Sequence, residues 1–310
     1  MPSLRDSLVA ASRIARYRGQ ILTKRLRATF SSGPGVADLP ATPAVTVFIT
    51  NINNRFPLEL TLRTLTANTE YPNYTIWVAD NGSTDGSVDM VRELTAQGLP
   101  IRLIEHGEAR PQHEWYDLMA ETVETPLWVG MHEDMMFIDG DWLVELVLEM
   151  ERRPGLLLLG GEYFPPRSGI REPVSNELVN LKESLSTWLF CARAELREYV
   201  PTSFSFYKHW SEDADRTILY DQGGKLIRDI RETDFEFDYM PTTYAQKYQH
   251  IANVSWAFKH NLDDAQRAYK LHQLADARRR VESMRRQSRP RAAPTRSRRR
   301  EAGAHVLHRN

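Results

Sequence analysis

From Val45 onward the chain alternates compact apolar runs with amphipathic stretches. Apolar runs lie at 45–50, 74–79, 101–105 and 126–131, and positions with helical spacing fill 57–69, 87–97 and 113–122 between them. Short apolar runs bounded by Gly, Pro and Asn predict buried strands, and the 3.6-residue spacing predicts helices. Strands alternating with helices predict right-handed βαβ units on a largely parallel sheet, an α/β fold. A helix at 144–152 and an apolar strand at 155–160 extend the series, and the Pro/Gly-rich stretch 163–169 then interrupts it as a candidate substrate loop. At 209–225 an acidic cluster after Ser211 predicts the start of a helix, which Gly223-Gly224 would end. The chain opens and closes outside this series. Residues 1–30 place Leu4, Leu8, Ile14, Ile21, Leu22 and Leu26 near helical spacing among arginines, which predicts a basic amphipathic helix. From about Asp263 a basic helix leads into an Arg/Pro/Ala/Ser tail that reads as disordered.

Composition narrows the class. The 310 residues, 41% hydrophobic and 26% charged, provide core material for one large domain or two small ones. The lone Cys191 has no partner for an intramolecular disulfide, and the amino terminus carries no apolar leader-like run, so a cytoplasmic setting is expected. No stretch reaches the roughly 18 apolar residues of a membrane span. The net charge of −1 hides a strong segregation: residues 1–30 carry +6 and residues 278–310 carry +10, which leaves −17 on the middle. An acidic middle disfavours nucleic acid as a partner and would repel a nucleoside diphosphate unless a divalent cation intervened. The Arg-rich tail can touch phosphates, but it lacks interleaved aromatics and a folded platform.

Three segments carry candidate chemistry. Asp80 closes the second apolar run, Asn81-Gly82 supplies a tight turn, and Ser83 or Thr84 is placed to cap a helix starting near Gly86. Ligands of open α/β sheets sit outside the carboxyl ends of the strands, so Asp80 faces the expected crevice. The run ending in His132-Glu133-Asp134 delivers adjacent carboxylates to another strand end, where they need a cation or solvent. Asp134 suits a hard divalent ion, Mg or Mn, that also binds diphosphate oxygens. The third segment, with Glu212 and Asp213, reads on its own as an acidic first turn of a helix.

Taken together, these segments resemble glycosyltransferase family 2, inverting nucleotide-sugar-dependent enzymes of GT-A fold. The resemblance runs over 45–260. It rests on the opening strand with Asn51 to Arg55, on the Asp80-Asn81-Gly82-Ser83-Thr84-Asp85-Gly86-Ser87 signature, and on His132-Glu133-Asp134 followed by Asp141-Trp142-Leu143 in the place of an Asp-X-Asp motif. The fourth match is Ser211 to Arg216 with Gly223-Gly224-Lys225, in the place of the Glu-Asp motif. The implied organisation is an extension at 1–44, a GT-A domain at 45–262 with a mixed, mostly parallel sheet, and a basic extension at 263–310. The resemblance implies that Thr50, the Ile52 backbone and Asp80 contact the nucleoside. It further implies that Asp134 ligates Mn or Mg on the diphosphate and that Glu133 faces the ribose or a second metal position. Glu212 joins the donor site, Asp213 is the general base toward the acceptor hydroxyl, and His250 completes the metal site.

Two departures from the family pattern stand out. His132 replaces the first Asp of Asp-X-Asp, so either Glu133 takes over its role or metal use is altered. Arg110-Pro111-Gln112 replaces a helix start of small residues and leaves Arg110 as the diphosphate partner. The implied partners are a nucleoside-diphosphate sugar and a glycan or lipid-linked acceptor, and the basic ends add an anionic membrane surface. A non-catalytic binding or scaffold protein is the alternative reading. A nucleotidyltransferase would need a Gly-rich loop that the opening strand lacks.

Overall fold

The computed structural model describes residues 4–30, 33–107, 109–161, 177–180, 185, 187–211, 216–251 and 262–287. Its centre is a seven-stranded sheet. In chain order the strands are β1 (Val45–Asn51), β2 (Tyr74–Asp80), β3 (Ile101–Glu105), β4 (Leu127–Met131), β6 (Leu156–Gly160), β8 (Leu189–Arg193) and β11 (Glu236–Tyr239), and they lie side by side as β11-β6-β8-β4-β1-β2-β3. Only β8 runs against its neighbours, pairing antiparallel with β4 and β6. The other pairings are parallel. This is the mixed, mostly parallel α/β sheet that the alternating pattern predicts.

Both faces of the sheet are covered, which is why β1, β4 and β6 are buried along their whole length. Alternation sorts the side chains of β1: Val45, Val47 and Ile49 enter one core, and Phe48 enters the other. The first core packs under α2 (Arg55–Ala67), α3 (Ser87–Ala96) and α5 (Trp142–Arg152). The second is an aromatic cluster under α4 (Gln112–Thr122), α6 (Leu196–Tyr199) and α7 (Gly224–Arg231). In it Tyr116, Trp128, Phe190 and Phe204 meet with ring centroids 5.1–6.4 Å apart.

Two small sheets complete the chain. β5 (Met135–Phe137) pairs antiparallel with β12 (Tyr248–His250), and β10 (Arg216–Tyr220) lies between β7 (Glu177–Asn180) and β9 (Tyr207–Ser211). The second of these corrects the helix expected after Ser211. Residues 207–211 and 216–220 are antiparallel strands, with Arg216 opposite Ser211. The run Thr217-Ile218-Leu219-Tyr220 is β-branched and aromatic, so strand pairing outweighs the acidic first-turn signal. Gly223-Gly224 starts a helix here and ends none: Gly223, at φ 75°, is the left-handed residue just before α7. The segment 212–215, with Glu212 and Asp213, lies outside the described residues, as do 163–169 and 288–310.

The two ends fold onto this body. The amino-terminal helix α1 (Leu4–Phe30) and the carboxyl-terminal helix α8 (Asp264–Gln287) share a third apolar cluster with α2, β5 and Ile251, built from Tyr17, Ile21, Leu60, Met136, Ala277 and Val281. Ionic contacts lock the arrangement. Glu59 of α2 is fully buried and accepts from Arg63 at 2.8 Å and from Arg285 of α8 through both of its oxygens. Lys24 of α1 donates to the carbonyls of Ala245 and Tyr248, at 2.7 and 2.6 Å, beside β12. Arg285→Ala should destabilise the fold modestly, because Arg63 still compensates Glu59. The double variant Arg63→Ala/Arg285→Ala strands a buried carboxylate and should cost about 3–5 kcal/mol in urea unfolding.

Candidate active site

Most of the candidate site sits at the carboxyl ends of the parallel strands or in the loops that follow them. There, Thr50, Asn51 and Ile52 after β1, Asn81 after β2, the Arg110-Pro111-Gln112 entry to α4, and His132-Glu133-Asp134 after β4 line one cleft of about 530 Å³. That volume lies in the range of small-molecule sites.

Polar side chains brace one end of the cleft. Asp80 is buried; one of its oxygens accepts from Asn51 at 2.9 Å and the other from the Ser83 N–H at 2.8 Å. Ser83 Oγ in turn accepts from Asn51 Nδ2 and from the Asn53 N–H. Asn53, at φ 51°, accepts from the Thr84 N–H, and Asp85 takes the Arg55 N–H at 2.8 Å. The expected cap by Ser83 or Thr84 is therefore replaced. Asp85 takes the Ser87 N–H at 3.0 Å, while Ser83 and Thr84 face the β1 loop. Asp80 is thus a loop brace behind the cleft, and Asn81 forms the adjacent wall.

Asn81 also holds the opposite rim. Its amide donates to the Arg110 carbonyl at 2.7 Å and accepts from the Arg110 N–H at 2.6 Å, a two-point clasp on the loop before α4. Arg110 is thereby placed at the cleft, with its guanidinium 5.9 Å from the Trp115 ring. Gln112 donates to Thr50 Oγ1 at 3.1 Å, which ties α4 to the end of β1. Neither Asn81 nor Gln112 stood out in the sequence as a site residue. Asn81 sat in the turn signature, and its use as a clasp follows only from the fold.

The acidic turn after β4 is pinned from α2. Thr61 Oγ1 lies 2.6 Å from the Glu133 carbonyl and 2.7 Å from that of Met135, to which it donates, and it accepts from the Met135 N–H at 3.0 Å. Asn54 donates to the Glu133 carboxylate. Burial, reinforced by the Asp134 charge, pushes Glu133 up to about 8. The turn thus crowds two carboxyl groups where a second negative charge is disfavoured.

Pairing of β5 with β12 brings a distant residue to this turn. His250 stands opposite Met135, and the Ile251 N–H donates to the Asp134 carbonyl at 2.8 Å. His250 Nε2 is 3.0 Å from Asp134 Oδ1, and its ring stacks on Trp188 at 5.4 Å. His132 lies on the other side, its ring 5.7 Å from that of His250. One ligand atom from each of His132, Asp134 and His250 can be chosen so that all three lie within 4.8 Å of one another. The fit to a divalent cation rests on two observations. His132 Nε2 is buried without a protein hydrogen-bond partner, and burial pulls that imidazole down to about 4, so it is neutral, the form that ligates metals. From α8, half-buried Lys270 feels the Asp134 charge, while burial lowers its pKa.

The structure thus brings Thr50, Ile52, Arg110, Glu133 and Asp134 to one cleft, with His250 against Asp134 and Asp80 bonded to Asn51 of the cleft wall. Glu212 and Asp213 lie outside the described residues. His132 enters as a third candidate ligand, a role the Asp-X-Asp comparison left undecided between Glu133 and an altered metal site.

The sequence profile of Glycosyl transferase family 2 matches residues 46–207, just over half of the chain. Among solved structures, the chain resembles the mannosyltransferase PcManGT from Pyrobaculum calidifontis, solved with GDP-Man and Mn2+. The identity is 16%, the coverage 90% of this chain and 87% of that one, and the TM-score 0.50. It also resembles S. aureus TarS, at 14% identity, 79% and 73% coverage and TM-score 0.40. A further similar structure is the glucosyl-3-phosphoglycerate synthase of Mycobacterium tuberculosis with Mn2+, UDP-Glc and glycerol 3-phosphate, at 17% identity, 55% and 65% coverage and TM-score 0.40. No curated protein matches the chain.

Asp134→Asn removes the only carboxylate of the three candidate ligands. It should weaken Mn2+ binding by more than the tenfold to roughly hundredfold loss typical of outer-shell changes. Isothermal titration calorimetry checks this, and Glu121→Gln, on an exposed turn of α4, should bind as the parent does.

Proposed function

The chain belongs to glycosyl transferase family 2 and is a glycosyltransferase, and on that premise we propose that it moves a sugar, with inversion, from a nucleoside-diphosphate donor to an acceptor hydroxyl. The observation that carries this reading is the His132, Asp134 and His250 cluster, of which His132 and Asp134 line the cleft at the strand ends. The proposed donor lies with its nucleoside between the Thr50–Ile52 segment and Asn81, and with its diphosphate toward Arg110 and the acidic turn. A divalent ion held by the three ligands would offset the diphosphate charge and stabilise the departing nucleoside diphosphate. Two imidazoles beside one carboxylate favour a transition ion such as Mn over Mg, which prefers an all-oxygen shell.

The base is proposed from sequence. Asp213, in the Ser211–Arg216 segment, takes the proton from the acceptor hydroxyl as that oxygen attacks the anomeric carbon from the face opposite the diphosphate. The new carbon–oxygen bond forms as the bond to the phosphate oxygen breaks, and the configuration inverts. Glu212 would sit beside it on the donor. The acceptor is proposed to be a hydroxyl of a glycan or of a lipid-linked sugar.

A thermal-shift series of nucleoside diphosphates and nucleotide sugars, with and without Mn2+, tests the donor assignment. One nucleotide series should raise the midpoint only with the metal present, whereas no metal-dependent shift with any nucleotide would contradict it. For the base, Asp213→Asn should lower turnover about 10²- to 10⁴-fold, the usual contribution of general base catalysis, with donor affinity nearly unchanged. Full activity in Asp213→Asn would remove the assignment.

A further inference from the structure

Packing on the body uses only one side of α1. Ala10, Tyr17 and Ile21 are buried, the last two against α8. Leu4, Leu8, Leu22, Leu26 and Phe30 are 52–84% exposed. At 100° per residue these five fall within an arc of about 80° that faces away from Tyr17 and Ile21. Exposed Ala11, Ala15 and Gly19 fill the same stripe between the two groups of leucines. With Val9, α1 carries half of the exposed large apolar side chains among the described residues. A scattered surface leucine needs no explanation, but an aligned row on one helix does.

Charge states what the row faces. Exposed Arg5, Arg16 and Arg27 flank the stripe on one side, and exposed Arg18 and Arg25 flank it on the other. Asp6 is the only acid in the helix. An apolar ridge rimmed by arginines along both edges is the pattern of a helix lying in the headgroup plane of an anionic bilayer, with leucines below and guanidiniums at the phosphates. A self-association face would instead set these arginines against their own copies. No helix among the described residues is long and apolar enough to cross a membrane, so contact of this kind is peripheral.

We propose that α1 is a membrane-docking helix whose outward stripe, Leu4, Leu8, Leu22, Leu26 and Phe30, inserts shallowly into an anionic phospholipid surface while its inner face holds the catalytic body. Lys24 connects the two roles, because its bonds to the Ala245 and Tyr248 carbonyls fix α1 beside the strand that carries His250. The enzyme would then stand at a fixed orientation on the membrane, with its cleft within reach of an acceptor carried by lipid. The docking inference is independent of the donor and base assignments and can fail or stand without them.

Co-sedimentation of the full chain with vesicles tests it. The parent should pellet with vesicles of phosphatidylglycerol mixed into phosphatidylcholine, and far less with phosphatidylcholine alone or in high salt. Leu8→Glu/Leu22→Glu/Leu26→Glu and, separately, Arg16→Glu/Arg18→Glu/Arg27→Glu should each reduce anionic-vesicle binding by at least about tenfold, with circular dichroism unchanged. If the first variant unfolds, an environment-sensitive dye on Leu22→Cys should blue-shift with anionic vesicles, and the same dye on Glu121→Cys should not. A parent that stays in the supernatant, variants that bind as the parent does, or a dimer in sedimentation velocity that the leucine variant dissolves would each overturn the proposal.

Discussion

Placing two carboxylates in a buried turn is the constraint from which the site follows. β4 ends under the sheet's covering layers and delivers Glu133 and Asp134 into a pocket where a lone negative charge is costly. The fold answers in part with Lys270 of α8, which feels the Asp134 charge. It fixes the turn with Thr61, holds Glu133 with Asn54, and brings two imidazoles against Asp134. A neutral imidazole does not cancel charge, but it can share a cation with a carboxylate. The arrangement is stable and useful at once if a divalent ion closes it, and the acidic balance of the middle of the chain points the same way.

The remaining site residues act through position. Asn51, Asn53, Ser83 and Asp85 cross-brace the loops after β1 and β2, and Asn81 clasps the loop before α4. Asn53, Asn81, Ser83 and Asp85 bond backbone groups that would otherwise be unpaired beside an open cleft, and Asn51 bonds the side chains of Asp80 and Ser83. The cleft is therefore preorganised on strand ends, and the proposed base, Asp213, belongs to the segment between β9 and β10.

Much of this was legible in residue order, and for physical reasons. β1, β2 and β4 are continuous apolar runs because both faces are covered, and such runs announce themselves. Asp80 and Asp134 were found because a charge at the end of an apolar run must have a use. What escaped reading depends on long-range pairing. The 209–225 segment carries an acidic signal for a helix start, yet Thr217 to Tyr220 pair with Tyr207 to Trp210, because strand partners supply what local propensity does not. His132 stood out in residue order only as a departure from Asp-X-Asp; its grouping with His250 follows from the pairing of β5 with β12. The basic amphipathic pattern of α1 allowed either packing or membrane contact; the structure shows packing on one face and leaves a separate apolar row on the other.

The central claim is that His132, Asp134 and His250 hold one divalent ion at the donor diphosphate. Pulsed electron paramagnetic resonance of the Mn2+-loaded protein tests it most directly, because nitrogen ligands imprint their own modulation on the manganese signal. The account predicts modulation from two imidazoles in the parent, from one in His132→Ala and in His250→Ala, and an added phosphorus coupling once a nucleoside diphosphate binds. A bound Mn2+ that shows no nitrogen modulation, or one unaffected by loss of either histidine, would contradict it.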